Sequence, residues 1–194
     1  MDRVVGPLAL FPSLPQIETP RVLLRRPSLE DAQDCFAYAS DPEVPKYMPW
    51  EAHKSLEESV DFLRRTLDEN ARGARGTWAI VSKADGHMIG TFSYHEWVPA
   101  FRRASFGYAL ARRYWNQGIM TEVLGRMLRF GFEVMELNRI EATCDNDNIG
   151  SYRVMEKNGM RREGLLRQHM EFKGRVRDSR VYAILRDEWQ SNNR

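Results

Sequence analysis

The sequence predicts an α/β fold of the α+β kind: a mixed, mostly antiparallel sheet of six to seven strands flanked by helices. Three observations predict it. Two amphipathic helical stretches come early. A run of strands joined by tight turns follows. One strand–helix–strand passage, from Arg103 to Cys144, then breaks the antiparallel pattern, because only a crossover of that length joins parallel strands.

Each element has a local reason. Met1–Thr19 carries Pro7, Pro12 and Pro15 and reads as an irregular arm (residues 1–18) ahead of a single domain spanning 19–194. Arg21–Arg26 reads as a strand closed by Pro27. Ser28 is an N-cap with Asp31 three residues on, and Leu29, Ala32, Cys35, Phe36 and Ala39 fall at helical spacing up to about Ser40. Asp41–Trp50 holds three prolines and must be a loop. Ser55 caps a second helix to about Ala71, with Val60, Leu63 and Leu67 as its apolar stripe. Strands are expected at Thr77–Ser82, Met88–Trp97 and Arg103–Leu110, the first two joined by the turn Ala84-Asp85-Gly86. A central helix is expected over Thr121–Glu136, and a strand over Arg139–Cys144. Asn148 caps a helix that Gly159 ends. Two closing strands, Arg161–Phe172 and Val176–Leu185, meet at Lys173-Gly174, and a short helical tail follows from Asp187.

Composition narrows the function classes. The chain is 194 residues long with a net charge of +2, so bulk charge does not point to a polyanion. Arg102-Arg103, Arg112-Arg113 and Arg161-Arg162 lack the interleaved aromatics of an RNA surface, and no nucleic-acid partner is expected. Cys35 and Cys144 offer neither a disulfide framework nor metal-ligand spacing. No stretch reaches the length of a membrane span, and the apolar N-terminal segment lacks a basic leader, so a cytoplasmic protein without membrane or metal is expected.

The most informative stretch is FGYALARRYWNQGIMTEVLGRMLRFGFEV, Phe106–Val134. It reads as strand, glycine-bearing loop, amphipathic helix. Unpaired N–H groups and the positive end of the helix dipole make such a helix start an anion site, so a phosphorylated ligand is expected. No G-x-x-x-x-G-K-[ST] is present to make it a nucleotide loop.

Four segments in this order resemble the GNAT acetyltransferase superfamily, and within it the RimJ/RimL-type N-acetyltransferases. They are ETPRVLLRRPSLEDAQDCF, FGYALARRYWNQGIMTEVL, NDNIGSYRVMEKNGMRREG and GRVRDSRVYAILRDEW, which together cover nearly the whole chain from Thr19. The resemblance implies the GNAT fold, with a splayed cleft between central strands, and acetyl-coenzyme A as co-substrate. It places the pyrophosphate on the backbone of Asn116, Gln117, Gly118, Ile119, Met120, Thr121 and Glu122. The acyl arm would lie along Tyr108, Ala109 and Leu110, with an N–H near Ala109 or Leu110 serving the oxyanion, and Asn148 and Ser151 would face it across the cleft. Dimers are common in the family, so a homodimer is one expected state. Three positions depart from the wider superfamily: Trp115 stands where Gln or Arg is usual, Met120 at a small-residue position, and Met155 where many members carry a tyrosine that protonates the leaving thiolate. Ser151 is the nearest polar substitute in that helix.

A base must take a proton from the attacking ammonium. The strand Met88–Trp97 carries His95 and Glu96 on opposite faces. Alternation alone does not assign the inward face; Glu96 is favoured, because a partly buried carboxylate suits the task. His169 is a weaker candidate. Cys144 would need an activated thiolate, and packing is its default role. Tyr47, Met48 and Trp50 of the proline-rich loop, and the turn at Lys173-Gly174, are placed around the acceptor, whereas Asp178 and Tyr182 read as structural. The activity expected from the resemblance is acetylation of a primary amine by direct attack in a ternary complex, the amine being a protein N-terminal α-amine of the ribosomal-protein type. The alternatives are a small amine (polyamine, amino acid or antibiotic) and a coenzyme A-binding regulatory module without turnover.

Overall fold

The prolines at the start of the chain open helical turns rather than break them. In a computed structural model that describes residues 6–192, Pro7 begins α1 (Pro7–Leu10) and Pro12 lies in a 3-10 turn, Phe11–Ser13. Proline suits a first turn because its missing N–H would be unpaired there anyway. The expected irregular arm is therefore corrected: residues 7–18 are ordered onto the domain, while Met1–Val5 lie outside the described residues. Phe11 is only 1% exposed, 5.3 Å from the Trp97 ring, and fills the space over Gly76, where a Cβ would lie 2.5 Å from its ring. The Trp78 indole N–H donates to the Pro15 carbonyl at 2.9 Å. β1 (Ile17–Glu18) then pairs with β2 (Val22–Arg25), which adds an eighth strand to the seven expected.

Ser28 and Asp31 form the expected capping box, and Asp31 also takes two hydrogen bonds from Arg25. The first turn here is 3-10, Leu29–Asp31, leading into α2 (Ala32–Ala39). α3 (Leu56–Ala71) starts on the Ser55 cap. β3 (Gly76–Ser82), β4 (Met88–Val98) and β5 (Arg103–Leu110) pair antiparallel with one another in succession. α4 (Ile119–Glu133) carries the chain across to β6 (Arg139–Asp145), which lies parallel to β5. α5 (Ile149–Lys157), β7 (Arg161–Phe172), β8 (Arg175–Leu185) and α6 (Arg186–Asn192) complete the fold. The eight-stranded sheet has the order β1-β2-β3-β4-β5-β6-β8-β7, with β5–β6 its single parallel pair.

One face of the sheet buries its aromatics against α4. Trp78 meets Phe130 edge-on at 5.5 Å, and the Tyr94 hydroxyl donates to the Met127 carbonyl at 2.7 Å. Alternation along β4 then sends Thr91, Ser93 and His95 to the other face. β5 and β6 pair only through Arg103–Ser105 and Arg139–Glu141. Beyond Ser105 they part, because β6 continues on β8 alone, and the splayed cleft opens there.

Candidate active site

A cavity of about 540 Å³ opens where the two strands diverge. One wall comes from β4 and β5: Thr91, Ser93, His95, Gly107, Tyr108 and Ala109. The facing wall comes from β6 and α5: Thr143, Cys144, Asp145, Asn148, Ser151 and Met155. α3, the proline-rich loop and the β7–β8 hairpin close the rest.

The run read from sequence as an anion cradle lies at the start of α4. Gly118 is its N-cap with φ +77°, and Asn116 also has positive φ at +58°. Among the described residues, no protein acceptor meets the N–H groups from Asn116 to Thr121, so Gln117, Gly118, Ile119, Met120 and Thr121 present a row of free donors. Glu122 is corrected. Its N–H closes the first helical bond to the Gly118 carbonyl at 3.1 Å, and its carboxylate holds the Arg21 N–H and Nε. A carboxylate there would repel a phosphate, and Arg21 neutralises it while also donating to the Gln117 carbonyl at 2.7 Å. The Met120 side chain is 6% exposed and packs in the core, so it leaves the loop mouth clear. Trp115 donates its indole N–H to the Leu110 carbonyl at 2.7 Å and ties the loop to the end of β5. Leu110 itself lies just outside the cavity lining, whereas Tyr108 and Ala109 line it.

Asn148 does cap α5, accepting the Ser151 N–H at 3.1 Å, and it also lines the cavity. The Tyr108 hydroxyl reaches across the cleft to within 3.1 Å of Ser151 Oγ. Burial raises the Tyr108 pKa, and the Ser151 contact partly opposes that. This phenol was assigned only to the acyl arm; its pairing with Ser151 depends on how the two strands diverge, which no local pattern records. Cys144 lines the cavity, but burial pushes its thiol up to about 11, so it stands as a neutral thiol rather than a nucleophile.

The favoured base, Glu96, is also corrected. β4 pairs with β5 through His95–Ser105 and resumes at Val98–Arg103, so Glu96 and Trp97 form a bulge opposite Ala104. Glu96 has φ +48°, is exposed, and does not line the cavity. His95 does line it. The His95 Nδ1 is buried without a partner, and burial, reinforced by the Arg75 charge, holds the ring below the usual histidine pKa. His169 pairs with Ser179 Oγ at 3.0 Å on β8 and does not line the cavity.

Tyr47, Met48 and Trp50 of the proline-rich loop line the cavity. The hairpin tip reaches the same loop: Lys173 Nζ donates to the Pro45 carbonyl at 2.7 Å. Sequence reasoning missed Arg65 and Glu69 of α3, Arg75 before β3 and Arg177 of β8, all of which line the cavity. Asp178 and Tyr182 brace the frame: Asp178 accepts the Gln168 N–H at 2.8 Å and Tyr182 donates to Glu156 at 2.9 Å.

A family model described as an acetyltransferase (GNAT) domain matches residues 21–161. The chain belongs to the GNAT acetyltransferases. It is 34% identical over 174 residues to the uncharacterized N-acetyltransferase YoaA of Bacillus subtilis, covering 89% of this chain and 97% of that protein. The ribosomal-protein-serine acetyltransferase of Escherichia coli is 28% identical over 133 residues, 67% of this chain and 74% of the other. Among solved structures, a GNAT-family acetyltransferase from Bacillus anthracis superposes with a TM-score of 0.79 at 30% identity, over 89% of this chain and 99% of that one. This GNAT chain is thus an N-acetyltransferase by family, and acetyl-coenzyme A is the co-substrate its family uses. None of its helices, among the described residues, is long and apolar enough to cross a membrane.

Proposed function

We propose that the chain transfers acetyl from acetyl-coenzyme A to a primary amine by direct attack within a ternary complex. The observation that carries this reading is a cavity lined both by the open edge of β5 and by His95, in a chain whose N–H groups at the start of α4 are unpaired. Those N–H groups suit a pyrophosphate, and Gly118 keeps its approach free of side chain. Backbone donors on the open edge of β5, at Tyr108 or Leu110, suit the thioester oxygen and the oxyanion that forms on attack, because Ala109 is turned to Thr91 of β4. His95 accepts the ammonium proton, because its ring is neutral at pH 7 and lines the cavity. As the amine nitrogen bonds to the acetyl carbon, the carbon–sulfur bond breaks. The Ser151–Tyr108 hydroxyl pair then supplies a hydrogen bond and a proton to the departing thiolate, in place of the tyrosine that Met155 replaces.

Two acceptor classes remain within this reading. A protein N-terminal α-amine is supported by the name of the E. coli relative, a ribosomal-protein-serine acetyltransferase. A small amine is supported by the strap from Lys173 to Pro45, which ties the β7–β8 hairpin to the loop whose Tyr47, Met48 and Trp50 line the cavity. The test is acetyl-coenzyme A titration followed by thiol release over a panel of N-terminal peptides and small amines. Binding with turnover of at least one amine is expected. No binding at millimolar acetyl-coenzyme A sinks the reading, and binding without turnover of any amine favours a regulatory module instead.

A further inference from the structure

The acceptor end of the cavity carries more positive charge than it neutralises. The wall beside His95 comes from α3 and from the residue leading into β3. Arg65 and Glu69 stand one helical turn apart on α3 and both line the cavity. Gly76 pairs with Tyr94 in the β3–β4 ladder, so the next position, Arg75, stands in register opposite His95. Arg75 Nε lies 3.7 Å from Glu69 Oε2, and the side chains are 48% and 36% exposed, a loose pair that solvent screens. Arg65 has no carboxylate partner among the described residues. On the opposite wall both oxygens of Asp145 are taken, one by Arg177 Nη1 and one by the Asp147 N–H, each at 2.9 Å. Arg177 Nε is left buried and unpartnered, with the guanidinium 4.9 Å over the Phe172 ring. The compartment thus has three guanidiniums, Arg65, Arg75 and Arg177, against two carboxylates, Glu69 and Asp145, a balance that disfavours a polyamine. It has a guanidinium loosely held by one glutamate directly beside the base.

We propose that the acceptor is a small amino carboxylate, whose carboxylate is held by Arg75 with Arg65 behind it while its amine faces His95. This rests on the acetyl-transfer reading and names the substrate class for that site. A planar carboxylate matches the guanidinium fork and takes the place of Glu69, at an arginine whose present partner is weak. Trp50, Tyr47 and Phe172 supply apolar surface for the body of the molecule.

The experiment compares the twenty standard amino acids with their α-carboxamides, with spermidine and with a Ser-Ala-Ala tripeptide amide, by thiol release from acetyl-coenzyme A. At least one amino acid is expected to exceed its own amide in kcat/KM by about tenfold or more, the size of a charge-assisted hydrogen bond. In Arg75→Gln that ratio is expected to fall towards one, and Arg75→Lys to restore part of it. Amides, spermidine or the tripeptide amide turning over as well as every amino acid overturns the proposal, as does a ratio unchanged in a folded Arg75→Gln. Such outcomes leave acetyl transfer itself standing, whereas absence of turnover with every amine removes the underlying reading.

Discussion

Gly90→Ala tests whether the acyl-binding edge is placed by packing from the next strand. An added Cβ at Gly90 would lie 2.2 Å from the Ala109 carbonyl oxygen and 3.0 Å from the Leu110 Cα, both backbone atoms. A carbon–oxygen contact relaxes at about 3.3 Å, so β5 must retreat by about 1 Å between the Tyr108 and Leu110 donors proposed to hold the thioester. Overpacking of this kind costs about 1–3 kcal/mol, or roughly 2–12 °C in Tm for a domain of this size. A 1 Å displacement at a reacting group costs on the order of 10²-fold in rate. The assay is thermal melting beside steady-state kinetics in acetyl-coenzyme A. Gly164→Ala serves as control, because its added Cβ meets nothing within 4 Å. Gly90→Ala is expected to lose both stability and kcat/KM while Gly164→Ala loses neither. A Gly90→Ala protein with unchanged Tm and unchanged kcat/KM refutes the proposed placement of the thioester on this stretch of β5.

Three other outcomes follow from the site. His95→Gln is expected to lower kcat by about 10²–10⁴-fold while leaving acetyl-coenzyme A binding intact. Because the folded His95 pKa lies below the ordinary value of about 6.5, wild-type activity should persist as pH falls past that value and drop only at the lower, folded pKa. The same lowering means that the unfolded chain binds the proton more readily, so this residue's contribution to stability is lost as pH falls below about 6.5. An acidic limb that persists in His95→Gln assigns the base elsewhere. Gly118→Ala places a side chain at φ +77° with Arg21 at an ordinary 3.6 Å, so strain of about 1–2 kcal/mol and a raised KM for acetyl-coenzyme A are expected. An unchanged KM argues against the cradle. Ser151→Ala and Tyr108→Phe should each lower kcat, and the double variant should fall short of their product because the two hydroxyls act as a unit. Full additivity would separate their roles.

Much of the frame was legible because its signals are local. Arg103–Leu110 and Arg161–Phe172 match the strands read from sequence to the residue, since a turn bounds each end. α4 begins at Ile119 rather than Thr121, because the left-handed Gly118 caps it two residues earlier. The arm was misread because proline marks both breaks and first turns, and only the burial of Phe11 decides between them. The cradle follows from one contiguous run, yet the Arg21 contact that silences Glu122 spans about a hundred residues of chain. His95 against Glu96 turned on a bulge, and strand periodicity assumes there is none. The arginines of the acceptor wall come from α3, the start of β3 and β8, and no spacing in the sequence relates them.

The two ends of the β5–β6 cleft are held by forces of different strength. At the closed end Arg103 and Arg139 both bind Glu141, Arg139 also binds Glu163, and the Arg102 carbonyl accepts the N–H groups of Asn138 and Arg139. These are charge-assisted bonds in a shared network, the kind that holds a geometry. Across the open end, between β5 and α5, stands the neutral Tyr108–Ser151 contact, worth about 1 kcal/mol. Widening of the cleft therefore costs least at Tyr108, where the acyl arm is proposed to pass, and most at Arg103. The bond that spans the cleft joins the same hydroxyls proposed to serve the leaving thiolate. Entry of the acyl arm between β5 and α5 would exchange that contact for one to sulfur, so the site would spend little of its binding energy on opening.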